Sequence, residues 1–120
     1  MDEISLTLPA DDAFRRVARL VLGGFAVRLE LTYESLEDIA LAVDALLERR
    51  GDDAEVTVRV RVEDGELRTV VGPFPPEVLR ELDQEVGDAL DLRRILSAVC
   101  DRFEVVDGWV ELTKLLDGEQ

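Results

Sequence analysis

Along this chain the apolar residues switch between a spacing of two and a spacing of three or four, and the switches mark its elements. Ile4, Leu6 and Leu8 alternate with Ser5 and Thr7, which predicts a short strand stopped by Pro9. Asp11 or Asp12 can cap a helix whose apolar positions Phe14, Val17, Ala18, Val21 and Leu22 recur at helical spacing. Arg15, Arg16 and Arg19 lie on its other side. Gly23-Gly24 reads as its end, because glycine accepts the left-handed geometry of a helix C-terminus, and Phe25, Val27 and Leu29 then form a connector to Thr32. Thr32 or Ser35 caps a second helix, with Asp38 three residues beyond Ser35 in a capping-box arrangement. Leu36, Ile39, Val43, Leu46 and Leu47 form its apolar stripe, and Gly51-Asp52-Asp53 breaks it.

In the second half the period returns to two. Val56, Val58, Val60 and Val62 alternate with Thr57, Arg59 and Arg61, a strand with one buried and one wet face, as in an antiparallel sheet. Asp64-Gly65 is a hairpin turn signal, with Leu67 to Val71 as the returning strand. Gly72-Pro73-Phe74-Pro75-Pro76 is a breaker, and Pro76 suits the first turn of a third helix carrying Val78, Leu79, Leu82 and Val86 and ending near Gly87. Leu92, Ile95, Leu96, Val99, Cys100 and Phe103 keep helical spacing through a fourth. Strands from Phe103 to Val106 and from Trp109 to Leu115 flank the turn Asp107-Gly108. No repeat, low-complexity tract or linker divides residues 1–120, which predicts one domain. The order of elements fits an α/β (α+β) two-layer sandwich, with a mixed, mostly antiparallel sheet covered on one face by helices.

Composition narrows the function classes. The net charge is −14 and histidine is absent, which argues against nucleic acid, whose binders cluster Lys and Arg to neutralise phosphates. It also removes imidazole metal sites and histidine acid–base catalysis. No apolar stretch is long enough to span a membrane, and the acidic Met1-Asp2-Glu3 is unlike a secretory signal. The single Cys100 allows no internal disulfide and fits a reducing cytoplasm. It falls within the fourth helix's apolar stripe, so it reads as core, with no histidine to activate it. The acidity suits solubility and basic partners, or reflects proteome-wide bias.

The segments ISLTLPADDAFRRVARLVLGGFAVRLELTYESLEDIALAV and LSAVCDRFEVVDGWVELTKLL resemble the anti-sigma serine kinases, a bacterial family with a histidine-kinase-type ATP-binding domain. In that family an Ile/Leu-Ala-Val lead-in precedes a Glu and, four residues on, an Asn that holds the magnesium of ATP. Leu41-Ala42-Val43 keeps the lead-in here, but the Glu position reads Ala45 and the Asn position Arg49. Arg offers only donors and positive charge where a hard cation wants oxygen. Arg49, with Arg50, is then either a solvated helix end or a holder of an anion in the vacated pocket. Asp44 and Glu48, four apart on one face, read as solvated acids.

The family's Asp-x-Gly-x-Gly segment, whose Asp reads adenine, corresponds by this resemblance to Val70-Val71-Gly72-Pro73-Phe74. Val70 stands for the Asp, and Gly72 remains; without the resemblance, Gly72 to Pro76 is simply a turn into a helix. The phosphate-binding Gly-x-Gly-Leu corresponds to Ala89-Leu90-Asp91-Leu92. Asp91 there reads as a helix cap, occupying the amides that phosphate would use. The resemblance therefore implies a degenerate, non-catalytic member with no bound cofactor, a pseudokinase of partner-switching control of transcription and stress response. Its implied partners are a sigma factor, an anti-anti-sigma protein or a second copy, a homodimer through Ile4, Leu6, Leu8, Phe14 and Val17. The alternatives are a working ATP-dependent serine kinase with divergent nucleotide boxes, or a small-anion-binding domain. Trp109 is either an interface anchor or packing over the sheet.

Overall fold

A computed structural model describes residues 3–8, 13–29, 31–49, 55–83 and 92–116. In chain order the elements are β1 (Glu3–Leu8), α1 (Ala13–Leu29), α2 (Tyr33–Arg49), β2 (Val56–Glu63), β3 (Glu66–Gly72), α3 (Pro76–Asp83), α4 (Leu92–Val99), β4 (Arg102–Val106) and β5 (Trp109–Leu115). The strands form one sheet in the order β1-β2-β3-β5-β4. Each of its four pairings is antiparallel, so the expected antiparallel dominance holds and no parallel pair joins it.

Alternation assigns the two faces of the sheet. Val56, Val58 and Val60 on β2, Leu67 and Val71 on β3, and Val110 and Leu112 on β5 are buried under the helices. Ile39, Ala42, Val43 and Leu46 of α2 complete this core. The opposite face carries Arg59, Arg61, Glu66, Arg68, Trp109 and Glu111, and its charges pair both along and across strands: Arg68 with Glu66 on the same strand at 2.8 Å, and Arg102 of β4 with Glu66 at 3.3 Å. The hydrogen bond from Arg68 holds the Glu66 carboxyl below its ordinary range. Both hairpins turn on an Asp-Gly pair with positive φ at each residue, 55° and 76° at Asp64-Gly65 and 51° and 87° at Asp107-Gly108. Those signs define the tight turn whose twist matches the flanking strands.

Two sequence expectations are corrected. Gly23-Gly24 does not end α1, which continues to Leu29 and closes through a Leu31 N–H to Ala26 carbonyl bond of 3.0 Å. Two mid-helix glycines cost about 2 kcal/mol together. Carrying the helix through them keeps Leu22, Phe25 and Ala26 buried, and a large apolar side chain contributes about 1.5–3 kcal/mol when removed from water. Burial wins. The second correction concerns Asp38, which serves no capping box and instead meets Lys114 of β5 at 2.7 Å. Phe103, read as part of the fourth helix and also as the start of a strand, lies in β4.

Thr32 is the cap of α2. Its Oγ1 accepts the Ser35 N–H at 3.1 Å, and its hydroxyl donates to Ser35 Oγ at 3.0 Å. Thr32→Ala is expected to lower stability by about 1 kcal/mol in urea unfolding. An unchanged midpoint would show that Ser35 or solvent replaces the cap.

Candidate functional site

Of the positions that the resemblance assigns to a nucleotide pocket, Ala45, Val70 and Gly72 lie among the described residues. Ala45 lies on α2 at 6% exposure, packed into the core. Arg49 closes α2, and its side chain lies outside the described residues, as do Ala89 and Asp91 entirely. Val70 pairs with Arg59 and Glu111 and belongs to the sheet face turned away from the helices, since its neighbours Thr69 and Val71 are the fully buried ones. A one-residue step on a strand moves a side chain to the other face, so Val70 faces away from α2 while Thr69 and Val71 face it. No residue from Leu67 to Pro76 carries a carboxylate.

Gly72 has a packing reason to be glycine. A Cβ there would lie 2.8 Å from the Trp109 ring, and the Arg59 guanidinium covers that ring at 5.4 Å from its centroid. Trp109 is thus packed over the sheet, held between Gly72 and Arg59. The signal was in the sequence only as the pair Gly72 and Trp109, whose proximity depends on the β3–β5 register.

The surface proposed from sequence also changes. Leu8 is buried, and Ile4 and Leu6 are half-buried beneath α1, lining a small apolar cavity with Val21, Leu22 and Phe25. These strand side chains serve the core. Phe14's side chain lies outside the described residues, and of the other four only Val17 is exposed, at 37%. Sequence reasoning missed Leu20 and Val27 on α1 and Tyr33 and Leu41 on α2, which are exposed at 75%, 79%, 76% and 49%. Their helical phase, opposite the buried stripe, was the available signal; the false helix end at Gly23-Gly24 hid Val27.

Two chemical groups meet where α2, α4 and β5 join. Burial pushes the Cys100 thiol up to about 12, which leaves it protonated and inert at neutral pH. The hydrogen bond from Lys114 to Asp38 raises the lysine above its ordinary value. The Thr69 hydroxyl, on the inner face of β3, is buried with no hydrogen-bond partner. Among the described residues no group of three or more Cys, Asp or Glu side chains is arranged to hold a metal. No helix among them is long and apolar enough to cross a membrane.

An antiparallel five-stranded sheet covered by helices on one face, in this element order, defines a histidine-kinase-type ATPase fold. The described chain superposes with a TM-score of 0.71 on the crystal structure of the RsbU and RsbW domains of Rv1364c from Mycobacterium tuberculosis. That match is at 18% identity and covers 97% of this chain and 32% of that one, so it speaks for the fold alone. The chain is 27% identical over 146 aligned positions to the serine-protein kinase RsbW of Bacillus velezensis, covering 100% of this chain and 89% of that protein. It is 30% identical over 107 positions to the serine-protein kinase RsbW of Listeria monocytogenes serotype 4a, covering 78% of this chain and 68% of that one. No protein-family profile matches it. The chain belongs to the RsbW serine-protein kinase family, the anti-sigma serine kinases that its sequence resembles.

Ala45→Glu, which places the family's carboxylate back on α2, is expected to destabilise the fold by at least about 2 kcal/mol, since an unpaired carboxylate would be buried. Normal stability in thermal and urea unfolding would reveal an open pocket there. For Cys100 and Lys114 the folded pKa exceeds the ordinary one, 9.0 and 10.5 respectively. Their contribution is full below pH 9 and is lost as the pH rises through the raised values. Stability should therefore fall between about pH 9 and pH 12, and Cys100→Ala should flatten the first part of that fall. Rapid reaction of native Cys100 with Ellman's reagent at pH 8 would contradict its burial.

Proposed function

We propose that this protein is a non-catalytic member of the RsbW family, a regulator that binds protein partners and does not bind ATP. The observation that carries this reading is Ala45, a small apolar residue packed in the core where the family places its carboxylate. The run from Leu67 to Pro76, without an acid, supports it from the sheet side. A cation that wants a carboxylate ligand would find none at position 45 or in that run. The partner classes that the family implies are a sigma factor and an anti-anti-sigma protein, met in the cytoplasm during partner switching and stress response. With Ile4, Leu6 and Leu8 turned to the core, the surface left for such a partner is the outer flank of the helices, Val17 included.

A second reading is an ATP-dependent serine kinase with divergent boxes. The relatives' name, serine-protein kinase, favours it. Calorimetric titration of the purified chain with ATP and magnesium separates the two. The non-catalytic reading expects no binding tighter than about 100 µM, or roughly 5.5 kcal/mol. A magnesium-dependent dissociation constant below that value, with phosphate transfer to a serine substrate, would replace it with the kinase reading.

A further inference from the structure

The sheet ends in two strands, β1 and β4, and their edges are finished differently. On β1, Ile4 and Leu6 lie beneath α1, and Glu3 stands opposite Arg61, a charge of the other sign. β4 lacks both protections. Phe103 packs against the core, but Val105, two residues on and on the same side, is 37% exposed, and Val106 on the outer side is 48% exposed. Glu104 stands directly opposite Glu111, and like charges so placed destabilise a strand pair. Neither carboxylate makes an ion pair among the described residues, and Arg102, on the same side of the strand, is held on Glu66. The backbone of β4 is also half unused. Asp107-Gly108 is a two-residue turn, so Val106 and Trp109 beside it exchange both backbone hydrogen bonds. Such pairs alternate along an antiparallel ladder. Glu104 therefore bonds Glu111, while Phe103 and Val105 turn their N–H and C=O groups away from β5. No other backbone bond among the described residues takes these groups up.

We propose that the free edge of β4 takes a further strand from a partner protein, an extended segment with a lysine or arginine between two apolar residues. This rests on the reading of the chain as a binder of protein partners, though not on whether nucleotide binds. The edge itself specifies the occupant. The outward N–H and C=O groups of Phe103 and Val105 are what an added strand pairs with. Residues set opposite Phe103 and Val105 extend the helix-side layer of the sheet, cover Val105, and so are apolar. The residue between them comes opposite Glu104 on the outer side, where one cation answers two carboxylates, Glu104 and Glu111 behind it. A second copy's β4 brings no such cation there, because its own glutamate adds a further carboxylate. In a chain of net charge −14, a basic segment is also drawn to the edge and an acidic one repelled. Hydrogen bonds then supply the register, the valine supplies apolar contact, and the facing glutamates select the charge.

The test is titration of the full chain with a capped peptide of sequence threonine-valine-lysine-valine-threonine, in about 0.15 M salt, where distant charges are screened. On saturation, amide exchange read by NMR should slow at least about tenfold at Phe103 and Val105, and the single Trp109, paired with Val106, should shift its emission. Glutamate in place of the lysine, or N-methylation of the peptide amides that face β4, should abolish binding. Glu104→Lys should weaken the lysine peptide at least about tenfold and admit the glutamate peptide. Val105→Pro removes an N–H that the β4–β5 ladder does not use, a place where an edge strand accepts proline. It should abolish addition while circular dichroism stays unchanged, and if that variant does not fold, the methylated peptide and Glu104→Lys decide. No binding of the lysine peptide, or equal binding of its N-methylated form, would overturn the proposal. So would exchange at Phe103 and Val105 already slow in the free chain: a dependence on protein concentration would give the edge to a second copy, and independence to another segment of the same chain. ATP titration reads the pocket and peptide titration reads the sheet edge, so failure of one leaves the other standing.

Discussion

The burial of α2 is the constraint on which the remaining structure depends. Ile39, Ala42, Val43 and Leu46 leave almost no surface to solvent, and the inner faces of β2, β3 and β5 supply the apolar side chains that cover them. Small residues hold its two flanks, Ala40 on one and Ala45 on the other, both buried. That lets α1 and α4 close against it, since helix separation follows the size of the side chains at the contact. The Lys114–Asp38 ion pair then ties the helix to β5 at the sheet's margin.

The same packing bears on the proposed non-catalytic reading of α2. A carboxylate at position 45 needs water, a cation or hydrogen-bond donors around it. Alanine needs only contact. Once alanine stands there, the space that a nucleotide site would keep open is available for core packing, and the helix gains apolar contact where a relative would keep polar ligands. Under the non-catalytic reading, alanine at position 45 and the close packing around α2 are two views of one feature. The fold remains that of its family because the buried stripe, both hairpin turns and the strand pattern are untouched by it.

The outer surfaces divide into two characters. The open face of the sheet is a lattice of paired charges, Arg61 with Glu63, Arg68 with Glu66, and Arg102 with Glu66, in which each cation is answered within the chain. The helical flank is unlike it: arginines on α1, acids on α2, and apolar residues along both. Surfaces whose charges are satisfied internally suit solvent. Exposed apolar side chains on one flank give that surface a different character from the sheet face.

The sequence by itself determined the strands, the second helix, both Asp-Gly turns and the family, because alternation, helical phase and turn chemistry are local and survive in one dimension. By resemblance alone it aligned Ala45 and Arg49 with the family's acid and magnesium ligand on α2. Only the tertiary structure decided that α1 runs through Gly23-Gly24, because the deciding term is the burial of Phe25 and Ala26 against neighbours distant in sequence. It decided that Asp38 answers Lys114, and that Gly72 makes room for Trp109, since strand register brings those pairs together. It also turned Val70 outward and Ile4, Leu6 and Leu8 inward. Which side of a sheet a residue faces is fixed by what covers that side, and the covering helices come from elsewhere in the chain.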